Sequence, residues 1–179
     1  WSSDVCSSDL TVNASESVQL IGTGTSASGE SDSGLFIQAN QDATGNAGRF
    51  LNITTGQLIV SDGAFVSARS FEERTSAGEV NINANSIFLD NNSRITAETA
   101  GGDNSKIKLF SRDIRLLNES NITTNAENTT GGNIVIDTDT LVGLGNSDIT
   151  ANALEGPGGS VRINAQRSEE HTSELQSLR

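Results

Sequence analysis

The sequence predicts an all-β fold: a right-handed single-stranded parallel β-helix with three short strands per coil and about 27 residues per coil. Three observations predict it. Apolar residues recur at a fixed 27-residue spacing, they alternate with polar residues inside each unit, and Gly-rich segments separate the units.

The period is read from three columns. Val80, Ile107, Ile134 and Val161 stand 27 residues apart, as do Ile82, Leu109, Ile136 and Ile163, and Ala84, Ser111, Thr138 and Ala165. Ile87, Ile114 and Leu141 follow, then Leu89, Leu116 and a weak member, Gly143. Ile95, Ile122 and Ile149, with Ala97, Thr124 and Ala151, complete the unit. The preceding unit joins with a spacing of 29, through Leu51, Ile53, Thr55, Leu58, Val60, Val66 and Ala68.

Each element follows from the spacing of two. Val80-x-Ile82-x-Ala84, Ile87-x-Leu89 and Ile95-x-Ala97 put every second side chain on one face, which is the strand period. None of these short strands can bury its apolar side alone. Parallel stacking of equivalent strands, about 4.8 Å apart, turns each inward position into a ladder of like residues. Small residues at the end of the first and third strands (Ala84, Ser111, Ala97, Thr124) leave room for corners. Outward positions are polar, and stacked Asn residues are expected to share amide hydrogen bonds along the axis. The segments 99–104, 128–132 and 155–159 read as turns that need positive φ and close backbone approach. Earlier in the chain, Thr11 to Leu20 supplies strands one and two. Ile21 to Ser33 is a Gly/Ser/Thr-rich insertion, and Leu35-x-Ile37 serves as strand three.

The two ends stand apart. The first ten residues can be encoded by TGG AGT TCA GAC GTG TGC TCT TCC GAT CT. Its reverse complement translates as Arg-Ser-Glu-Glu-His-Thr-Ser-Glu-Leu, the run from Arg167 to Leu175. Folding imposes no such complementarity, and the DNA resembles a common sequencing adapter. Residues 1–10 and 167–179 are therefore read as adapter-derived, leaving 11–166 as a repeat fragment of roughly five to six coils. The only Trp, Cys and His (Trp1, Cys6, His171) fall in those ends.

Composition then excludes several functions. Of the 23 acidic and 11 basic residues, 18 and nine lie in 11–166, a net charge of −9 there. An acidic chain with scattered charge argues against nucleic acid or an anionic membrane as partner. No apolar run approaches the roughly 20 residues of a membrane span. Without native Cys there is neither a disulfide framework nor a thiolate metal site, and the lack is compatible with threading through an outer-membrane pore.

Candidate chemistry is sparse. Polysaccharide-active β-helix enzymes group carboxylates around one bond. The best match, Asp137-Thr138-Asp139, has no second cluster or basic partner in register. Gly101-Gly102-Asp103 is a single broken piece of a calcium-binding nonapeptide pattern. Thr54, Thr123 and Thr129 do not form the regular array of an ice-binding face. Six Asn-x-Ser/Thr sequons (Asn13, Asn52, Asn91, Asn118, Asn121, Asn128) fit chance in so Asn-rich a chain. Among the six Phe residues, Phe50, Phe65, Phe88 and Phe110 are expected to face outward, packed against loops or forming a partner stripe; Phe36 and Phe71 complete the set. No catalytic, cofactor-binding or metal residue, and no cofactor, is assigned.

The phrases Thr44-Gly45-Asn46-Ala47-Gly48, Leu51 to Ala64 and Val66-Ser67-Ala68, with Thr11 to Leu20, resemble the repeats of filamentous-haemagglutinin-type exoproteins, the secreted partners of two-partner secretion in Gram-negative bacteria. The resemblance covers essentially all of 11–166. It implies a β-helical rod, export by an outer-membrane transporter, and adhesion or display at the bacterial cell surface. The ligand, carbohydrate or protein, stays open. No secretion domain is recognisable. The competing class is a polysaccharide-active β-helix enzyme, either a lyase or a glycosidase.

Overall fold

A computed structural model describes residues 9–26, 29–40, 48–73, 75–101 and 105–170. Among them there are fourteen strands and no helix. The chain winds as a parallel β-solenoid of about five turns with ~27 residues per coil. Each complete coil contributes one long run and one short run. The long runs are β6 (Phe50–Ser61), β8 (Glu79–Asp90), β10 (Lys106–Leu116), β12 (Asn133–Gly143) and β14 (Ser160–Glu170). They stack in that order behind β1 (Leu10–Asn13) and β2 (Ser17–Ile21), which both pair with β6. The short runs stack as β5 (Gly34–Ala39), β7 (Phe65–Ser70), β9 (Arg94–Thr99), β11 (Asn121–Ala126) and β13 (Asp148–Ala153).

The registers are those of the sequence period. Ile82 pairs with Leu109 and Leu109 with Ile136, all parallel, and Ile136 pairs with Ile163. Leu51, Ile53, Ile82, Ile87, Ile107, Leu109, Ile114 and Ile122 are almost wholly withdrawn from solvent and belong to one continuous core. Each such side chain contributes roughly 1.5–3 kcal/mol of burial free energy.

The first two predicted strands are not separated by a loop. They run on as one extended element with a phase slip. In β8, Val80, Ile82 and Ala84 face inward, then Ile87 and Leu89; between them Asn85 and Ser86 both face out. Two outward residues in succession turn the corner, and the ladder skips that column between β10 and β12. The small inward residue at this corner has a second role that sequence reasoning missed. Thr55 donates its hydroxyl to Gln57 O (3.2 Å), Ser111 to Asp113 O (3.0 Å) and Thr138 to Thr140 O (3.0 Å), satisfying a carbonyl that the turned chain leaves free. In the first coil four steps from Asn13 to Ser17 face three from Thr54 to Gln57, a bulge that splits β1 from β2. Gly56 makes room for it, since a Cβ there would come within 2.5 Å of Glu16 O.

Positive φ was expected in the Gly-rich segments 99–104, 128–132 and 155–159; among the described residues it recurs instead at the turn between long and short runs, and it occurs also at Gly48 and Gly78, just ahead of β6 and β8. Asp62, Asn91, Asn118 and Gly145 form one left-handed column, and Gly63, Asn92, Glu119 and Asn146 the next. Asn and Asp tolerate this region because short polar side chains bond locally. Asn91 Nδ2 donates to Asp62 Oδ1 (2.7 Å) and Asn118 Nδ2 to Asp90 Oδ1 (2.8 Å). Buried Ser93 and Ser120 line the inside of the turn with their hydroxyls 3.3 Å apart. The described glycines of 99–104, 128–132 and 155–159 have no positive φ, but the predicted close approach is there: a Cβ on Gly132 would collide with Ser105 O of the coil before it.

The insertion folds as an antiparallel hairpin, β3 (Thr23–Ser26) and β4 (Gly29–Asp32), closed at its base by Ser33 N donating to Gly22 O (3.1 Å). It stands where later coils have a two-residue turn. At the ends, Leu10 lies in β1 and β14 continues four residues past Gln166.

Candidate functional site

The candidate groups singled out in the sequence that the structure describes lie apart from one another. Asp137 is exposed on β12 between Phe110 and Asn164, Thr138 points inward, and Asp139 sits on the corner, bonded by Gln166 Nε2 (3.1 Å). Gly102 and Asp103 lie outside the described residues, as do Trp1, Cys6 and His171. Among the described residues no group of three or more His, Cys, Asp or Glu side chains is placed to hold a metal ion. Lys108 pairs with Glu79 (2.8 Å) and Arg115 with Asp113 (2.9 Å). The expected amide ladder is present once on the long-run sheet, where Asn81 Nδ2 donates to Asn52 Oδ1 (3.1 Å).

Phe50, Phe88 and Phe110 face outward as alternation requires, yet form no stripe: Phe50 lies beside Glu79, Phe88 beside Ile59 and Arg115, and Phe110 beside Asn83. Phe65 is different. Its partner across the ladder is Gly34, and a Cβ on that glycine would come within 2.8 Å of the ring. The ring therefore lies over the glycine and shields the backbone there. Phe36, two residues on, stacks on Phe65 with centroids 6.1 Å apart.

These two rings open the outer face of the short-run sheet. Outward residues fall in three columns along the axis. Gly34, Phe65, Arg94, Asn121 and Asp148 form one edge, and Gln38, Arg69, Glu98, Asn125 and Asn152 the other. Between them run Phe36, Ser67, Thr96, Thr123 and Thr150. The middle column is small after Phe36, so it is a trough floor. Ser67 and Thr96 are only 5% and 3% exposed although they point away from the core, because longer neighbours lean over them. Thr96 donates to Ser67 Oγ (2.9 Å). Thr96, Thr123 and Thr150 stand at the 27-residue period, a threonine column that Thr54, Thr123 and Thr129 do not reveal. A single column between charged edges is not an ice-binding plane.

Each arginine of the trough is held between a ring and a carboxylate. The Arg94 guanidinium lies 5.0 Å from the Phe65 centroid and 2.7 Å from Asp32 of the inserted hairpin. Arg69 lies 5.3 Å from the Phe71 centroid and 2.5 Å from Glu98. Such pairs at half-exposed positions add little stability, about 0–1 kcal/mol, but fix the direction of each fork. Two hollows flank the Arg69–Glu98 pair. One, of about 100 Å³, is lined by Phe36, Gln38, Phe65, Ser67, Arg69 and Arg94. The other, of about 330 Å³, is lined by Arg69, Phe71, Glu98, Asn125 and Glu127 among others. The arrangement offers flat apolar surface beside fixed donors and acceptors, the chemistry of a binding face.

Comparison with protein-family models, with curated proteins and with solved structures gives no match. Among the described residues no helix is long and apolar enough to cross a membrane.

Proposed function

We propose that this chain is a structural and adhesive segment of a large secreted bacterial surface protein of the filamentous-haemagglutinin type, exported by two-partner secretion, with no enzymatic site of its own. The observation that carries this reading is the in-register stacking of like residues from coil to coil, Ile53 to Ile163 through Ile82, Leu109 and Ile136. An array of this kind lengthens by adding coils without altering those already formed, which suits a rod that holds binding surface away from a cell. Loops and outward columns vary freely on such a rod, and the inserted hairpin is one such variation. Residues 1–10 and 167–179 belong to sequencing adapter in this reading, and the native segment lies between them.

The test is to recover the flanking DNA from the same source. The expected result is a reading frame that departs from this chain at both proposed junctions and continues into further coils of about 27 residues, with a secretion domain upstream and an outer-membrane transporter gene nearby. A compact gene of one domain's length, with carboxylates converging in a cleft of its additional coils, would establish the competing class, a polysaccharide lyase or glycosidase. Codons for Trp1 to Leu10 in the genomic frame would refute the adapter reading.

A further inference from the structure

We infer that the trough on the short-run sheet is a binding site for a neutral oligosaccharide, lying along the solenoid axis from Phe36 past the Arg69–Glu98 pair. This deepens the adhesive reading above by naming what one face would hold, and it rests on geometry that is independent of how the protein is exported.

Four observations converge on one ligand class. Phe36 presents its ring to solvent, 56% exposed, and is steadied from behind by Phe65. A flat exposed ring beside polar groups matches the apolar C–H face of a pyranose, whose hydroxyls lie around its rim. The polar groups are the right kind. Arg94 with Asp32 and Arg69 with Glu98 each place a donor fork next to a carboxylate acceptor, the complement of adjacent sugar hydroxyls that both donate and accept.

Charge then decides between neutral and acidic glycans. The two arginines are balanced by Asp32 and Glu98, and the larger hollow adds Glu127. A carboxylated or sulfated sugar would find no net positive field here, whereas an uncharged one loses nothing. Finally, Arg69 lines both hollows, so its side chain borders any ligand lying along the trough. Neighbouring coils are spaced by about 4.8 Å, close to the length of one pyranose, so successive sugars meet successive coils.

The experiment titrates the full chain with maltohexaose, cellohexaose, xylohexaose and mannohexaose, and with hexagalacturonate as charged comparator. Isothermal calorimetry gives affinity, and NMR follows the Arg69 Nε–H and the Thr96 amide. At least one neutral hexasaccharide is expected to bind with a Kd near or below about 1 mM, to shift both signals, and to bind equally well when salt is raised. Phe36→Ala, at a position exposed enough to leave the fold intact, should weaken binding about tenfold. Phe110→Ala, an exposed ring on the other sheet, should leave it unchanged. Binding of hexagalacturonate alone, binding of none of the five, or equal weakening by the two Phe variants would each overturn the assignment. None of those results bears on secretion, which the flanking gene decides separately.

Discussion

Alanine substitution down one inward column gives a sharp test of the stacked core. The column is Ile82, Leu109, Ile136 and Ile163, each paired with the next. Leu109 is fully buried, with Ile82 on one side and Ile136 on the other. Leu109→Ala removes three carbons, worth about 2.4 kcal/mol at ~0.8 kcal/mol each. The coils on either side are pinned by their own ladders and cannot close the gap, so a cavity term adds to this, for about 3–4 kcal/mol in all. Ile163 occupies the same repeat position but is 43% exposed. Its three carbons are worth little more than half as much, about 1.4 kcal/mol, and an open site adds no cavity term. Urea unfolding followed by far-UV circular dichroism measures both. The expected difference is about 2 kcal/mol between chemically near-identical truncations. Equal losses, or a loss under about 1 kcal/mol for Leu109→Ala, would refute the account of a continuous core whose strength depends on having a coil on each side.

Three further outcomes follow from single sites. Thr124 Oγ1 is buried with no partner in the Ala97–Thr124–Ala151 column, so Thr124→Val, which keeps the shape and removes the hydroxyl, should stabilise by about 1 kcal/mol in the same urea assay. Gly143 pairs with Leu116 in the long-run sheet, and a Cβ there would meet nothing within 4 Å; Gly143→Val should raise the thermal midpoint, gaining about 0.5–1 kcal/mol from restricted backbone entropy. At Asn118 (φ 49), alanine loses both the bond to Asp90 and the residue's tolerance of left-handed backbone, costing about 1–2 kcal/mol, while Asn118→Gly should cost distinctly less; the reverse order in denaturant midpoints would sink the turn assignment.

Much of the long-range pairing was legible because the 27-residue period is also the ladder register. Val80, Ile107, Ile134 and Val161 are spaced in the chain as they are stacked in space. The candidate site was less legible. Phe65 was legible as an outward ring, and Arg69–Glu98 and Phe65–Arg94, one coil apart, follow from the register; the charged members, Arg69, Arg94 and Glu98, carry no apolar signal that marks them in the sequence. The left-handed turns had a visible mark in Asp62-Gly63, Asn91-Asn92, Asn118-Glu119 and Gly145-Asn146, all at the period. In the Gly-rich segments the glycines serve close approach between coils, as at Gly132 and Gly156.

Alternation and period by themselves determined the core, since a side chain that faces inward must match those directly above and below it, and only one register lets all of them do so. They also determined that equivalent strands of successive coils would pair in parallel. What only the tertiary structure decided is the surface: that Phe36 stands on Phe65, that the inserted hairpin brings Asp32 to Arg94 across 62 residues, and that Ser67 and Thr96 sink beneath their neighbours. The physical reason is that burial constrains the inward half of each strand in every coil alike. The outward half answers to whichever long side chains happen to lie beside it, and to an insertion whose position no repeat specifies.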